Sequence, residues 1–249
     1  MHIILTGATG TVGHPVLRHC LASSKVTQLS ILSRKQFDLP VDDRLDIKKA
    51  RVIVHDDYTD YPESLLKTLH GAQGCVWAQG ISQTEVSKDD YLRITHDYPL
   101  AAAKSFATLA PEAGHFNFVY VSGEGADPTE KTFTMFGKIK GRTEKELLAL
   151  PASAPAYAPL RSYNVRPGYV DPELRYRPLS VTKRTLEFVI APILRTLLPS
   201  QVSPTAILSK TLVDLATGDG GPIVPKEGQS GIEAEGRTVR SAAIRWLGV

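Results

Sequence analysis

The chain has 249 residues, of which 42% are hydrophobic and 22% charged, a composition typical of a folded domain and not of a disordered or fibrous chain. Twenty-nine Lys and Arg residues against 26 Asp and Glu residues leave a net charge of +3, too small a surplus to indicate nucleic-acid binding. The two cysteines, Cys20 and Cys75, lie far apart and outside any metal-binding spacing, which argues against a disulfide framework and a zinc site.

The amino-terminal residues are apolar and lead directly into a glycine loop. This arrangement leaves no room for a cleavable signal segment. No apolar run reaches the roughly 18 to 20 residues that a membrane span needs. We therefore expect a soluble protein of the cytoplasm.

Short β-branched runs alternate with helical patterns over the first two thirds of the chain. The patterns predict strands over residues 1–5, 28–32, 51–55, 75–78, 116–122 and 160–165, and helices over 15–23, 62–70, 91–109 and 134–150. This alternation predicts an α/β fold with a doubly wound parallel sheet of the Rossmann type. We expect a single domain over residues 1–249. Its cofactor half spans 1–150, and residues 151–249 complete the sheet and form a small substrate-side cap.

The glycine loop, residues 6–13, has the sequence TGATGTVG and stands between the first strand and the first helix. Glycines at such a place let the backbone turn tightly and approach a pyrophosphate, whose charge is attracted by the amide groups at the helix start. The loop residues expected to contact a dinucleotide are Gly7, Thr9, Gly10, Thr11, Val12 and Gly13.

Two cations, Arg34 and Lys35, follow the second predicted strand. A carboxylate at this place binds the ribose 2′-hydroxyl of NAD, whereas cations can pair with the 2′-phosphate of NADP. The sequence therefore predicts NADP(H) in preference to NAD(H), with a solvated basic loop as the alternative. Asp56, after the third strand, is either a further cofactor contact or an acid in a solvated turn. Cofactor contacts are also expected after the fourth strand, from Ala78, Gln79 and Gly80.

The C-terminal third is rich in proline, and residues 161–210 hold eight Lys or Arg residues against three acids. Within it, residues 186–198 are apolar but too few to span a bilayer. We expect this segment to be a cap helix over the substrate pocket. The alternative is contact with an anionic membrane surface, including that of an organelle. The same basic excess would suit an anionic substrate.

Six short segments, TGATGTVG, ILSRK, HDY, YVSGEGAD, FGKIKG and VRPG, follow one another in this order. Together they resemble an atypical short-chain dehydrogenase/reductase, and in particular the Tat-interactive-protein-like and NmrA-like NAD(P)-binding groups. The resemblance covers about residues 1–171. It implies a Rossmann-type fold and an NADP(H)-dependent oxidoreductase that acts on a small-molecule carbonyl or alkene.

The resemblance also implies catalytic residues. Enzymes of this family use a Tyr and a Lys four residues apart on one helix, and a Ser at the end of the fifth strand. Lys140 matches the lysine, which binds the nicotinamide ribose, and Ser122 matches the serine. Phe136 stands where the tyrosine is expected. The phenol that transfers the proton is therefore missing.

Three functions stay open for a chain without this phenol. It is a reductase whose proton comes from Tyr169 or from water, a redox-neutral isomerase or cyclase in a reductase-derived pocket, or an NADP-binding regulatory protein. The oxidoreductase is favoured because the glycine loop is intact. Pro167 and Gly168, which precede Tyr169, are expected beside the cofactor. The expected partner is a small molecule.

Overall fold

A mostly parallel sheet of eight strands runs through the chain in this computed structural model, which describes residues 1–112, 114–171 and 201–248. The cap helix predicted over residues 186–198 lies outside these residues. The strands of the whole structure are β1 (His2–Thr6), β2 (Gln28–Ser33), β3 (Ala50–Val54), β4 (Ala72–Trp77), β5 (Phe116–Val121), β6 (Leu160–Arg166), β7 (Tyr169–Asp171), β8 (Val202–Pro204), β9 (Ile232–Glu233) and β10 (Thr238–Arg240).

The strand order in the large sheet is β3-β2-β1-β4-β5-β6-β10-β9, and β7 and β8 form a separate parallel pair. Within the large sheet, β9 and β10 pair antiparallel and the other neighbours pair parallel. The chain builds outwards from β1 to β3 and then returns to place β4 on the other side of β1. In such sheets the ligand crevice lies beyond the carboxyl ends of the strands at this reversal. The predicted doubly wound α/β fold is confirmed.

Helices cover both faces of the large sheet. They are α1 (Gly13–Ala22), α2 (Glu63–Thr68), α3 (Lys88–Leu92), α4 (Tyr98–Ala107), α5 (Met135–Ser153), α6 (Thr205–Ala216) and α7 (Ser241–Leu247), and a π-helical turn (Arg93–Asp97) joins α3 to α4. One buried core lies between the sheet and α1, α6 and α7, and a second lies under α2, α4 and α5. Among the described helices, none is both long and apolar enough to cross a membrane.

Alternate residues of the strands supply the two cores, as the pleat of a sheet requires. In β1, Ile3 and Leu5 belong to the core beneath α1, whereas Ile4 belongs to the opposite core. All three side chains are fully buried. This explains why β1 has a continuous apolar sequence without polar alternation, which is typical of a parallel strand covered on both faces.

The C-terminal part of the chain covers one face of the sheet and also extends the sheet beyond β6. Helix α6 ends so close to β4 that a Cβ on Gly74 would lie 2.2 Å from the carbonyl oxygen of Ala216. At the edge, β10 pairs with the last three residues of β6, with Val239 opposite Val165. The turn before β10 places Ala234 and Glu235 at φ 48° and 53°, the left-handed region that favours glycine.

Candidate functional site

The glycine loop packs backbone against backbone. Gly7 follows β1 with φ +67°, and a Cβ on it would lie 2.4 Å from the carbonyl oxygen of Ala78. A Cβ on Gly13, the first residue of α1, would lie 2.0 Å from the carbonyl oxygen of Gly7. Neither distance admits a side chain without a shift of the backbone. These two glycines therefore allow the loop, the start of α1 and the end of β4 to touch.

Gly10 has a different environment. Its N–H donates to the carbonyl oxygen of Gly7 at 2.8 Å and closes the turn. Among the described residues, a Cβ on Gly10 would meet nothing but that oxygen within 4 Å, at 3.1 Å. The first turn of α1 contains no acid, and no side chain caps it. An open glycine beside an uncapped helix start fits the pyrophosphate of a dinucleotide, because amide groups and the helix dipole attract the anion.

The turn after β2 presents Arg34 and Lys35 at the surface. The Ser33 hydroxyl donates to the carbonyl oxygen of Lys35 at 2.8 Å and folds the chain back at the strand end. The N–H of His55 donates to the carbonyl oxygen of Ser33 at 2.9 Å, so the turn lies beside the end of β3. Asp56, the next residue after His55, is exposed.

The chain leaves β4 through Ala78, Gln79 and Gly80. The N–H of Gln79 donates to the Thr6 hydroxyl at 3.3 Å, which joins the strand ends of β1 and β4. Among the described residues, nothing lies within 4 Å of a Cβ built on Gly80. The structure therefore brings Ala78 and Gln79 against the glycine loop, and Gly80 follows them in open space.

Ser122 follows directly after β5. Its N–H donates to the carbonyl oxygen of Val165 at 2.8 Å and extends the pairing with β6. Its side-chain oxygen is buried and has no hydrogen-bond partner within the described ranges. Since a buried hydroxyl without a partner is costly in free energy, this orphaned group marks a place where a ligand atom fits.

Lys140 lies in α5 and is 8% exposed. Its ammonium donates to the carbonyl oxygen of Val121 at 2.9 Å and stands 4.6 Å from the centre of the Tyr120 ring. Burial lowers the pKa of Lys140 to about 8, because surroundings of low polarity disfavour the charged form, and Glu144 opposes this shift. Lys140 and Ser122 therefore meet at the peptide bond that joins Val121 to Ser122.

Phe136 lies one helical turn before Lys140. The tip of its ring, Cζ, would be 2.7 Å from a Cβ on Gly123. The ring thus fills the space that a side chain at position 123 would need. The N–H of Phe136 donates to Oε1 of Gln83 at 3.0 Å, which ties the start of α5 to the loop after β4.

Pro167 and Gly168 connect β6 to β7, whose first residue is Tyr169. The carbonyl oxygen of Pro167 accepts from the N–H of Glu124 at 3.0 Å, so this connection lies against the loop after β5. A Cβ on Gly168 would be 2.1 Å from the carbonyl oxygen of Gln201. The structure places Tyr169 in the small β7–β8 pair, opposite Val202.

A buried ion pair lies one turn beyond Lys140, and its carboxylate was not among the residues predicted for the site. Nε and Nη2 of Arg166 donate to the Glu144 carboxylate at 2.9 and 2.5 Å. The side chains of Arg166 and Glu144 are 8% and 1% exposed. Nη1 of Arg166 also pairs with Glu233 at 3.0 Å. The sequence signal that could have revealed this pair is the position of Glu144, an acid among the buried residues of an amphipathic helix.

Glu124, in the loop after β5, is also tied to the C-terminal part of the chain. It pairs with Arg240 at 3.0 Å and accepts from the N–H of Ser241 at 2.8 Å. These contacts hold the loop that carries Gly123 against β10 and the start of α7. The Glu124 carboxylate therefore has a structural role.

The chain has relatives among known proteins, and two of them are named for biosynthesis clusters. No family model matches the chain. It is 30% identical to leucinostatins biosynthesis cluster protein T of Purpureocillium lilacinum, over 98% of this chain and 94% of that protein. It is 40% identical to botcinic acid biosynthesis cluster B protein 16 of Botryotinia fuckeliana, over 48% and 78%. It is 26% identical to mitochondrial protein FMP52 of Eremothecium gossypii, over 60% and 61%.

Solved structures share the fold. A short-chain type dehydrogenase/reductase from Mycobacterium ulcerans matches with a TM-score of 0.65 at 17% identity, over 98% of this chain and 90% of that one. A 3-oxoacyl-[acyl-carrier protein] reductase from Brucella melitensis, solved with NAD, matches with a TM-score of 0.62 at 15% identity, over 97% and 95%. The predicted Rossmann-type fold is confirmed, and both of these proteins share it. The narrower likeness to the Tat-interactive-protein-like and NmrA-like groups stays a prediction.

Proposed function

Since the chain belongs to the family of leucinostatins biosynthesis cluster protein T, we propose that it is an NADP(H)-dependent oxidoreductase of a biosynthetic pathway. Its substrate is a small molecule with a carbonyl group or an alkene, and the basic C-terminal third suits an anionic one. The chain works as one Rossmann-type domain over residues 1–249, with the cofactor in the half formed by residues 1–150. The remaining residues shape the substrate side.

The open side of Gly10 is the observation that carries this proposal. Gly7 and Gly13 are required by the packing of the chain itself, but Gly10 faces free space at an uncapped helix start. Apart from the Gly7 carbonyl oxygen at 3.1 Å, the described residues leave the space beside Gly10 open to a group from outside the chain. The pyrophosphate of the cofactor takes this place, held by the backbone of Gly7, Thr9, Gly10, Thr11, Val12 and Gly13.

Arg34 and Lys35 supply the preference for NADP(H). Both are exposed in the turn at the end of β2, beside the end of β3, where the adenosine ribose of a Rossmann cofactor lies. A 2′-phosphate pairs with these cations, whereas a 2′-hydroxyl gains little from them. Asp56 borders the adenosine, and Ala78, Gln79 and Gly80 border the cofactor beyond β4.

At the other end of the cofactor, Ser122 and Lys140 face the reacting atoms, and the bound cofactor supplies a hydride. When a carbonyl group, or an alkene conjugated to one, accepts a hydride, negative charge develops on the carbonyl oxygen. The Ser122 hydroxyl and the Lys140 ammonium are donors that stabilise this charge in a site of low polarity. Pro167 and Gly168 border the nicotinamide, and Tyr169 borders the substrate.

A redox-neutral isomerase or cyclase is the second candidate, and Phe136 is the observation that favours it. Position 136, where a reductase of this fold is expected to have a tyrosine, holds an apolar ring. This ring covers Gly123, the residue after Ser122. In this alternative, the cofactor is bound but not consumed, and the same donors polarise a substrate oxygen.

Titration of the purified protein with NADPH and NADH, followed by fluorescence, tests the cofactor assignment. Incubation with the biosynthetic intermediates of the producing organism then separates the two functions by mass spectrometry. Product formation with equimolar loss of NADPH supports the oxidoreductase, and product without such loss supports the redox-neutral enzyme. A protein that binds neither nucleotide would contradict both.

The expected location is the cytoplasm. The relative from Eremothecium gossypii carries the word mitochondrial in its name, so attachment to an organelle is the competing location. Fractionation of cells that produce the tagged protein distinguishes these two locations.

A further inference from the structure

Position 136, one helical turn before Lys140, holds no group that could transfer a proton. The Phe136 ring is apolar, and its tip stands over Gly123, where a side chain would clash at 2.7 Å. Both positions are therefore without a hydroxyl, and a side chain at 123 would require the Phe136 ring to move. A reaction at Ser122 must obtain its proton from another group.

Lys140 follows Phe136 by one helical turn, and its ammonium reaches the backbone of the residue before Ser122. One of its N–H bonds points to the Val121 carbonyl oxygen at 2.9 Å, and the ammonium lies 4.6 Å from the Tyr120 ring centre. The Tyr120 ring is itself fixed, because its hydroxyl donates at 2.9 Å to the carbonyl oxygen of Thr95 in the π-helical turn. An ammonium has three protons, so this arrangement orients the group and leaves a proton for a ligand.

The charged and titratable groups around Lys140 come from three elements. Glu144, from the same helix, attracts the ammonium and raises its pKa, but its carboxylate is bonded to Arg166 of β6. Tyr120, from β5, stays neutral because burial raises its pKa well above the ordinary value. Burial outweighs the attraction of Glu144 and brings the pKa of Lys140 to about 8. Such a group exchanges a proton readily near neutral pH.

We propose that Lys140 is the acid and base of this site, and that its ammonium gives a proton to the substrate oxygen bound by Ser122. This inference rests on the proposed function. In the reducing direction, the carbonyl carbon accepts a hydride from the reduced nicotinamide and its π bond breaks. The oxygen then takes the proton from Nζ of Lys140, and the neutral amine regains a proton from water. A redox-neutral reaction uses the same amine as its base.

The first test measures the protonation of Lys140 without cofactor or substrate. The protein is labelled with ¹³C-lysine, and the Cε signal of Lys140, assigned by its loss in Lys140→Arg, is followed from pH 6 to 11. We expect a midpoint near 8, against about 10.4 for an ordinary lysine. An ordinary midpoint would overturn the proposal, whatever the cofactor binding shows.

The second test separates proton transfer from charge. Lys140→Arg keeps a cation but releases no proton at pH 7 to 9. With NADPH and a panel of an aliphatic aldehyde, an aryl ketone and a cyclic enone, we expect turnover to fall at least about 100-fold while NADPH affinity changes less than about fivefold. The matched control is Lys138→Arg, at an exposed position of the same helix, which should leave both unchanged.

The pH dependence completes the test. Reduction by the wild-type protein should slow as the pH rises through the midpoint of Lys140, because the protonated form is the donor. In Lys140→Arg this decline should be absent. Near-normal turnover in Lys140→Arg would show that Lys140 holds the cofactor but transfers no proton. Loss of NADPH binding by the wild-type protein would instead contradict the proposed function, and the NMR midpoint would still decide the state of Lys140.

Discussion

The glycine loop after β1 and the residues after β5 both lie at the carboxyl ends of the parallel strands, but they are built differently. In the loop, Gly7 and Gly13 bring backbone against backbone, and an added Cβ would lie 2.0 to 2.4 Å from a carbonyl oxygen. At the end of β5, side chains make the contacts, with Phe136 over Gly123 and Lys140 on Val121. Backbone packing excludes nearly every substitution, whereas packed side chains can be exchanged in pairs. The cofactor end of such a fold is therefore constrained, and the chemical end can be rebuilt.

The two regions also differ in charge. Side-chain ion pairs connect α5 to β6, through Glu144 with Arg166, and the loop after β5 to β10, through Glu124 with Arg240. The glycine loop depends on close backbone contact. Substitutions at charged residues should therefore affect the stability of one region, and substitutions at glycines the binding capacity of the other.

The largest effect is expected at the buried ion pair. Arg166→Met should lower the free energy of unfolding by about 3 to 5 kcal/mol, because it leaves the Glu144 carboxylate buried without its partner. Arg240→Met is the control, since that side chain is 43% exposed and its pair should contribute at most about 1 kcal/mol. Urea denaturation measures both. If both variants lose similarly little free energy of unfolding, the buried pair does not hold α5 to the sheet.

In the glycine loop, Gly10→Val should weaken NADPH binding at least about 100-fold, or roughly 2.7 kcal/mol, because the side chain occupies the space of the pyrophosphate. The loss of stability should be small, since the Gly7 carbonyl oxygen, at 3.1 Å, is the one described atom near an added Cβ. The matched variant Gly13→Ala should instead lower the free energy of unfolding, by about 1 to 3 kcal/mol. Fluorescence titration and denaturation separate the two effects. A folded Gly10→Val protein with normal affinity would place the cofactor elsewhere.

The cations after β2 should set the choice of cofactor. We expect NADPH to bind more tightly than NADH by about 1.5 to 3 kcal/mol, and the double variant Arg34→Ala with Lys35→Ala to lose this difference. Lys48→Ala with Arg51→Ala removes two other exposed cations, beside the amino end of β3, and should leave it unchanged. Titration of each protein with both nucleotides gives the ratio. A preference that survives in the first double variant contradicts the assignment.

Stability should depend on pH through Lys140. Its folded pKa of about 8 lies below its ordinary value of 10.5, so above pH 8 the folded state holds fewer protons than the unfolded state. Its contribution to the free energy of unfolding is therefore constant at lower pH and rises from pH 8 upwards. From pH 7 to 9.5, wild-type protein should gain about 2 kcal/mol relative to Lys140→Met. Lys138→Met keeps Lys140, so the wild-type protein should gain nothing relative to this control over the same range. If the Lys140 ammonium were solvated, the wild-type protein would gain nothing relative to Lys140→Met either.

The smallest effect is expected from Phe136→Tyr. If this position only lacked its acid, the phenol should raise turnover on generic aldehydes and ketones by about 10² to 10⁴-fold. We expect no more than about a threefold gain, because Gly123 and Phe136 form a rebuilt pair and Lys140 transfers the proton. NADPH oxidation at 340 nm measures it. A 100-fold gain in turnover would show that the protein is a conventional reductase that lacks only the phenol at position 136.

The regular elements were predictable because their signals are local. β6 was expected over residues 160–165 and is Leu160–Arg166, and the helix expected over 134–150 is Met135–Ser153. The four short strands that follow β6, β7 to β10, were not predicted. β10 has three residues, and its place beside β6 depends on a partner more than 70 positions away in the chain. Such a strand carries too few residues for a periodic pattern.

The sequence by itself determined the α/β alternation, the glycine loop and the residues that the family resemblance matched, Ser122 and Lys140, since each depends on spacing along a few dozen positions. The tertiary structure decided which of these groups meet. It brought Phe136 over Gly123, Lys140 against Val121 and Arg166 against Glu144. The physical reason is that these contacts depend on how α5 lies on the sheet, which the packing of both cores sets and no local pattern contains.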